Sequence, residues 1–174
     1  MNARELKRLM AVAHHEAGHA VVGWVLDPQI RPLVVTIVRG DGTLGHVEHR
    51  RSRACRHAME LLTPHGYWVR DSEAVMLFAG RLAEARFTGH MPRWGHETDY
   101  HNIAGLCYYE DLEMQRLWSR LRYLETQGYV KRWWPEIEAV ATALLEKKTL
   151  TLKEFIPIFA GALACVTDRD PATA

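Results

Sequence analysis

His15-Glu16-Ala17-Gly18-His19, two histidines four residues apart with a glutamate beside the first, are the residues of this sequence best suited to chemistry. On a helix, positions four apart differ by about 40° around the axis and by roughly 6 Å along it, so both imidazoles can converge on one ion. Glu16 sits one residue round from the first ligand. From there its carboxylate reaches a water held by the metal without ligating the metal itself, the placement a general base needs. The pattern H-E-x-x-H therefore points to hydrolysis assisted by zinc.

Two histidines are too few for a catalytic zinc, which normally takes three protein ligands and leaves a fourth position for water. Asp99 is the first choice for the third ligand, because the first turn of a helix is a well-defined mounting and its dipole favours a carboxylate. Glu84 is the second choice, and His96, Glu97 and His101 also fit by residue type. His14 lies about 100° from His15 around the helix and is expected to point elsewhere. Imidazole and carboxylate ligands suit other divalent ions too.

These residues need elements to hold them. From Ala3 to Leu26 the apolar spacing predicts one helix, its second half buried on both sides because Val12, Val22 and Leu26 complete the apolar circumference. Asp27-Pro28 ends it. Residues 33–38, rich in β-branched side chains, read as a strand; Arg39-Gly40-Asp41-Gly42 is a turn, and Thr43 to His49 is the returning strand. A short helix is expected over 52–62, followed by an irregular connection containing Pro64 and Gly66. Asp71 or Ser72 is expected to cap a helix running to Phe87, whose Ala79, Gly80 and Ala83 form a smooth patch matching Ala17, Gly18 and Ala20. Beyond a loop over 90–97, Thr98 caps a long helix from Asp99 to Leu124. Pro135 opens a further helix, and Thr151-Leu152-Lys153-Glu154 is a capping box for the last.

The 174 residues are expected to form one domain over 1–168, with 169–174 a frayed tail. Apolar residues at 48% and charged residues at 25% are ordinary for a globular chain, and no apolar run is long enough to span a bilayer. The amino terminus has no signal-peptide pattern, so the expected location is the cytoplasm. A net charge of +1 gives no reason to expect nucleic acid, and the one basic concentration, Arg50, Arg51, Arg53, Arg56 and His57, reads as a solvated face. The three cysteines, Cys55, Cys107 and Cys165, are expected to be buried thiols. Ten histidines make an accidental H-E-x-x-H easier, so the motif needs support from its context.

That context carries a family resemblance. Met10 to Val22 resembles the metal-binding helix in the peptidase domain of FtsH-type zinc proteases, the M41 family. Val35-Thr36-Ile37-Val38-Arg39-Gly40 with Leu44-Gly45-His46 resembles the family's strand and turn. Ala79-Gly80-Arg81-Leu82-Ala83-Glu84 with Phe87-Thr88-Gly89 resembles its A-G-R-x-A-E-E helix. Thr98-Asp99-Tyr100 falls where the family has its ligand aspartate, and residues 143–150 resemble its closing helix. The ordered set spans residues 5–155.

The resemblance implies a mainly α, zincin-like peptidase fold with a small β-sheet, Zn2+ as cofactor and Asp99 as the third ligand. It also implies that the strand near 33–38 accepts an extended peptide by edge pairing. Ala85 departs from the family's second acid. The stretch also lacks a phosphate-binding loop and a membrane segment, so the expected substrates are peptides or unfolded protein, with a separate unfoldase as a possible supplier. The expectation is a zinc metallopeptidase in which His15, His19 and Asp99 bind metal and Glu16 is catalytic. The alternatives are a catalytically silent zinc-binding interaction module and a regulatory protease of narrow specificity. Oligomeric state is left open.

Overall fold

The structure, a computed structural model, describes residues 2–26, 31–40, 44–50, 53–92 and 97–165. The expected helix stop at Asp27-Pro28, Asp41, Gly42 and Thr43 of the hairpin, the candidate ligand His96 and the tail over 169–174 lie outside these residues. The fold is mainly helical with one small antiparallel sheet. Helix α1 (Ala3–Leu26) leads into strands β1 (Arg31–Thr36) and β2 (His46–Arg50), then helices α2 (Arg53–Met59), α3 (Pro64–Thr88), α4 (Glu97–Leu106), α5 (Leu112–Arg132) and α6 (Trp134–Lys147). Strand β3 (Thr149–Thr151) and helix α7 (Leu152–Ala164) follow. No helix among the described residues is long and apolar enough to cross a membrane.

Helix α1 is the axis of the core. Every residue from Glu16 to Gly23 is buried, as its all-round apolar second half requires. It packs against α3 through the smallest side chains available. A Cβ added at Gly18 would lie 2.7 Å from the Ala79 carbonyl oxygen and 2.8 Å from the Ala83 methyl, so the two backbones approach as closely as glycine permits. Val21, Val22, Ala79, Ile137, Val140, Leu144 and Phe155 are fully buried around this contact.

Helix α3 begins two turns before the expected Asp71. Thr63 is its cap, its Oγ1 accepting from the Gly66 amide at 3.1 Å, with Pro64 in the first turn where a missing N–H costs nothing. The single helix expected over 99–124 is two helices, broken at 107–111. Asp111 caps the second by accepting from the Met114 amide at 2.9 Å. At the break Tyr108 stacks on Tyr67 and Tyr109, with ring centroids 4.4 and 4.6 Å apart, while Gln115 Nε2 donates to the Tyr109 carbonyl. These tertiary contacts outweigh a helical propensity worth only tenths of a kcal/mol per residue. Helix α5 in turn runs through Gly128 to Arg132.

The sheet order β2-β1-β3 corrects a second expectation. Strand β1 is central: Val34, Val35 and Thr36 pair with β2 on one side and with β3 on the other. Its edges are taken, so it has no free row of amides for a peptide over these residues. The helix expected to run to Leu150 ends at Lys147. Lys148 at φ 67° then turns the chain back, so that Thr149–Thr151 adds the third strand and Thr149 Oγ1 meets Thr36 Oγ1 at 2.7 Å. The capping box at Thr151 and Glu154 is formed as expected. Of the three cysteines only Cys55 is buried; Cys107 is half-buried and Cys165 exposed. Arg50, Arg53, Arg56 and His57 are exposed, as a solvated face requires.

Candidate metal centre

Helix α1 presents His15 and His19 on one face, with their Nε2 atoms 3.0 Å apart. The first turn of α4 brings Asp99 Oδ2 to 3.4 Å from His15 Nε2 and 3.5 Å from His19 Nε2. These are the residues among those described whose donor atoms gather closely enough to hold one ion. Four ligands about 2.0 Å from a zinc ion at tetrahedral angles lie about 3.3 Å from one another. The three edges of 3.0, 3.4 and 3.5 Å fit such a site without rearrangement.

Each imidazole is locked from behind. His19 Nδ1 donates to the Met76 carbonyl at 2.9 Å, and because a carbonyl can only accept, the Nε2 lone pair is left facing the triangle. His15 Nδ1 donates to Glu84 Oε2 at 3.2 Å, so the proton that His15 would give up to a metal is the one on Nε2, inside the triangle. Glu84, the second choice as ligand from sequence, thus stands behind a histidine rather than beside it in the triangle. Gly80 is equally specific: a Cβ there would collide with the His19 ring. Of the remaining sequence candidates, His101 is exposed and outside the cluster, whereas His96 and the side chain of Glu97 fall outside the described residues. His14 points away, stacked on Phe87 with centroids 4.0 Å apart and bonded to the Met10 carbonyl.

The electrostatics call for a cation. Burial alone would depress His15, yet the hydrogen bonds it donates to Asp99 and Glu84, with Glu16 nearby, push it up to about 10. Burial works against ionisation of Asp99 too, but its bonds to His15 and His19 hold it well below the usual carboxylate range. A proton on His15 therefore occupies the electrostatic niche that a divalent ion would fill. Glu16 is buried and raised by that burial, opposed by His15, His19 and His46. Gly45, at the entry to β2, lies against it, since an added Cβ would be 2.8 Å from Glu16 Oε1.

The sequence points to His15, Glu16, His19 and Asp99, which the structure brings together, but not to what positions them. The small patch at Ala79-Gly80 was visible as a packing signal, and its use as room for the His19 ring was not. The Met76 carbonyl has no signal in sequence, because any residue there would carry the same oxygen.

No family model matches the chain. Over 100 residues, 56% of this chain and 13% of the relative, it is 51% identical to the ATP-dependent zinc metalloprotease FtsH 1 of Salinibacter ruber. Over 89 residues it is 35% identical to the mitochondrial inner membrane m-AAA protease component YTA10 of Saccharomyces cerevisiae, covering 47% of this chain and 10% of that protein. A mouse relative, m-AAA protease component AFG3L1, is 34% identical over 98 residues, 56% of this chain and 11% of the relative. The chain is thus similar over about half its length to FtsH and m-AAA proteases, and the matches cover 10–13% of the length of these relatives.

Proposed function

Starting from that similarity to zinc metalloproteases, we propose that this chain is a zinc-dependent metallopeptidase hydrolysing peptide bonds in peptides or unstructured protein segments. His15, His19 and Asp99 hold the metal and Glu16 is the general base. The observation that carries this reading is the triangle of two Nε2 atoms and one carboxylate oxygen, with edges of 3.0 to 3.5 Å, beside a buried carboxyl on the adjacent residue.

Zinc bound there supplies Lewis-acid polarisation of the scissile carbonyl and makes water easier to deprotonate. Glu16 takes the proton of the attacking water as its oxygen bonds to the carbonyl carbon. As the C–N bond breaks, Glu16 passes that proton to the leaving amine. Its burial suits both halves of this duty, because raising a carboxyl towards neutrality makes it a better base and an adequate acid. Glu84 and the Met76 carbonyl hold the two imidazoles in the tautomer that ligation requires.

Substrate presentation follows from the sheet. With β1 central, the outer edges of the sheet are those of β2 and β3, and of these β2 begins at His46 directly after Gly45 and its close approach to Glu16. An extended peptide paired along that edge would carry its backbone past the catalytic carboxyl. Flexible segments reach such an edge unaided; a folded substrate needs a separate unfoldase.

The test pairs metal content with activity. Zinc per chain is measured by atomic spectroscopy for the wild type and for Glu16→Gln, and both are assayed on an unstructured protein such as casein. Both chains bind about one zinc, and the variant cleaves at least ~100-fold more slowly. Equal cleavage by the two would sink Glu16 as base, and absence of zinc from both would sink the metal site.

A further inference from the structure

Helix α5 carries a stripe that the core does not use. Met114, Leu117, Leu121 and Leu124 are 41%, 57%, 55% and 45% exposed, an unusual concentration of apolar side chains in water. Their spacing of three, four and three residues, continued by Gly128 after four more, places them within about 80° of arc on an α-helix. The buried side of the same helix faces the other way: Thr126 donates to the Val75 carbonyl of α3, and Val130 is 3% exposed.

A three-four alternation is the spacing of a two-stranded coiled-coil seam, with Met114 and Leu121 at the first core position of each heptad and Leu117 and Leu124 at the second. The charges that flank the seam identify the partner. In a parallel pair the residue before one first core position lies opposite the residue following the next second core position of the other helix. Here these are Arg120, which is exposed, and Glu125, five residues on. Two copies of α5 side by side would make the Arg120–Glu125 pairing twice. An antiparallel pair would instead set Arg120 against its own copy. Glu113 and Glu125 among the flanking groups also disfavour an anionic lipid surface as occupant.

We infer that α5 pairs in parallel with α5 of a second copy of this chain, through Met114, Leu117, Leu121 and Leu124, with Arg120 of each copy facing Glu125 of the other. From Met114 to Leu124 the seam spans about 15 Å of helix, a modest contact that forms a reversible dimer. Glu125 also lies 3.4 Å from Arg122 of its own chain.

Sedimentation of the full chain from about 1 to 100 μM tests the pairing, over a range that brackets micromolar affinities. The wild-type mass rises from one chain towards two, and Leu117→Glu with Leu121→Glu stays at one while its far-UV circular dichroism is unchanged. Arg120→Glu and Glu125→Arg each stay at one chain when alone, since each sets like charges across the seam. Mixed in equal amounts they give two-chain mass, because the mixture restores opposite charges on both sides. A wild-type mass of one chain throughout would overturn the proposal, as would a dimer insensitive to the leucine changes. Failure of the mixture to pair would overturn the parallel arrangement.

Discussion

Glu84 Oε2 lies 3.2 Å from Nδ1 of His15, on the side of the ring away from the Nε2 that meets His19 and Asp99. The link joins α3 to α1 across their closest packing, so the partner helix of the core also fixes the orientation of a candidate ligand.

Replacing this carboxylate leaves the triangle of donors intact but frees one of them to turn. Glu84→Gln is expected to weaken zinc binding by about 10-fold and Glu84→Ala by up to about 100-fold, the range found when a partner behind a ligand is lost. Competition with a chelator of known affinity measures both. Wild-type affinity in the alanine variant would contradict the orienting role.

Gly80 and Gly128 are both helical glycines and should respond oppositely to alanine. A methyl at Gly80 would meet the His19 ring, and overpacking of this kind costs about 1–3 kcal/mol. Gly80→Ala should therefore lower the urea midpoint and reduce bound zinc together. At Gly128 nothing lies within 4 Å, so alanine stabilises by about 0.5–1 kcal/mol through helix propensity.

In the metal-free chain, stability should fall as pH rises. His15 is raised in the folded state from 6.5 to about 10, so its contribution is fully present below pH 6.5 and is lost as pH climbs through about 10. Asp99, held low when folded, contributes above its ordinary value of 3.8 and loses that contribution only in stronger acid. Zinc held at the proposed site would reverse the trend above neutrality, because it would take the place of the proton on His15 and bind more tightly as that proton leaves. Urea midpoints with and without zinc between pH 6 and 10 should diverge; parallel curves would contradict the competition.

The break between α4 and α5 rests partly on one cap. Asp111→Ala removes the acceptor for the Met114 amide and should cost about 1 kcal/mol, with Asp111→Asn costing less. Thermal denaturation separates the two. An unchanged midpoint in the alanine variant would mean that the tyrosine cluster at 108 and 109 alone sets the break.

The sequence by itself determined α1 from end to end, because its apolar circumference and the spacing of His15 and His19 are both properties of 3.6 residues per turn. It also determined Asp99 as a first choice, and the capping box at Thr151 and Glu154, since local chemistry specifies helix starts. The tertiary structure decided what depends on residues distant in the chain. It broke the helix at 107–111, where Tyr67 supplies a stacking partner from another element. It enclosed β1 with a third strand that Lys148 turns into place, leaving β2 and β3 as the edges of the sheet. It moved Glu84 from candidate ligand to partner of His15, because only the packing of α3 on α1 sets which atom of a ring a carboxylate can reach.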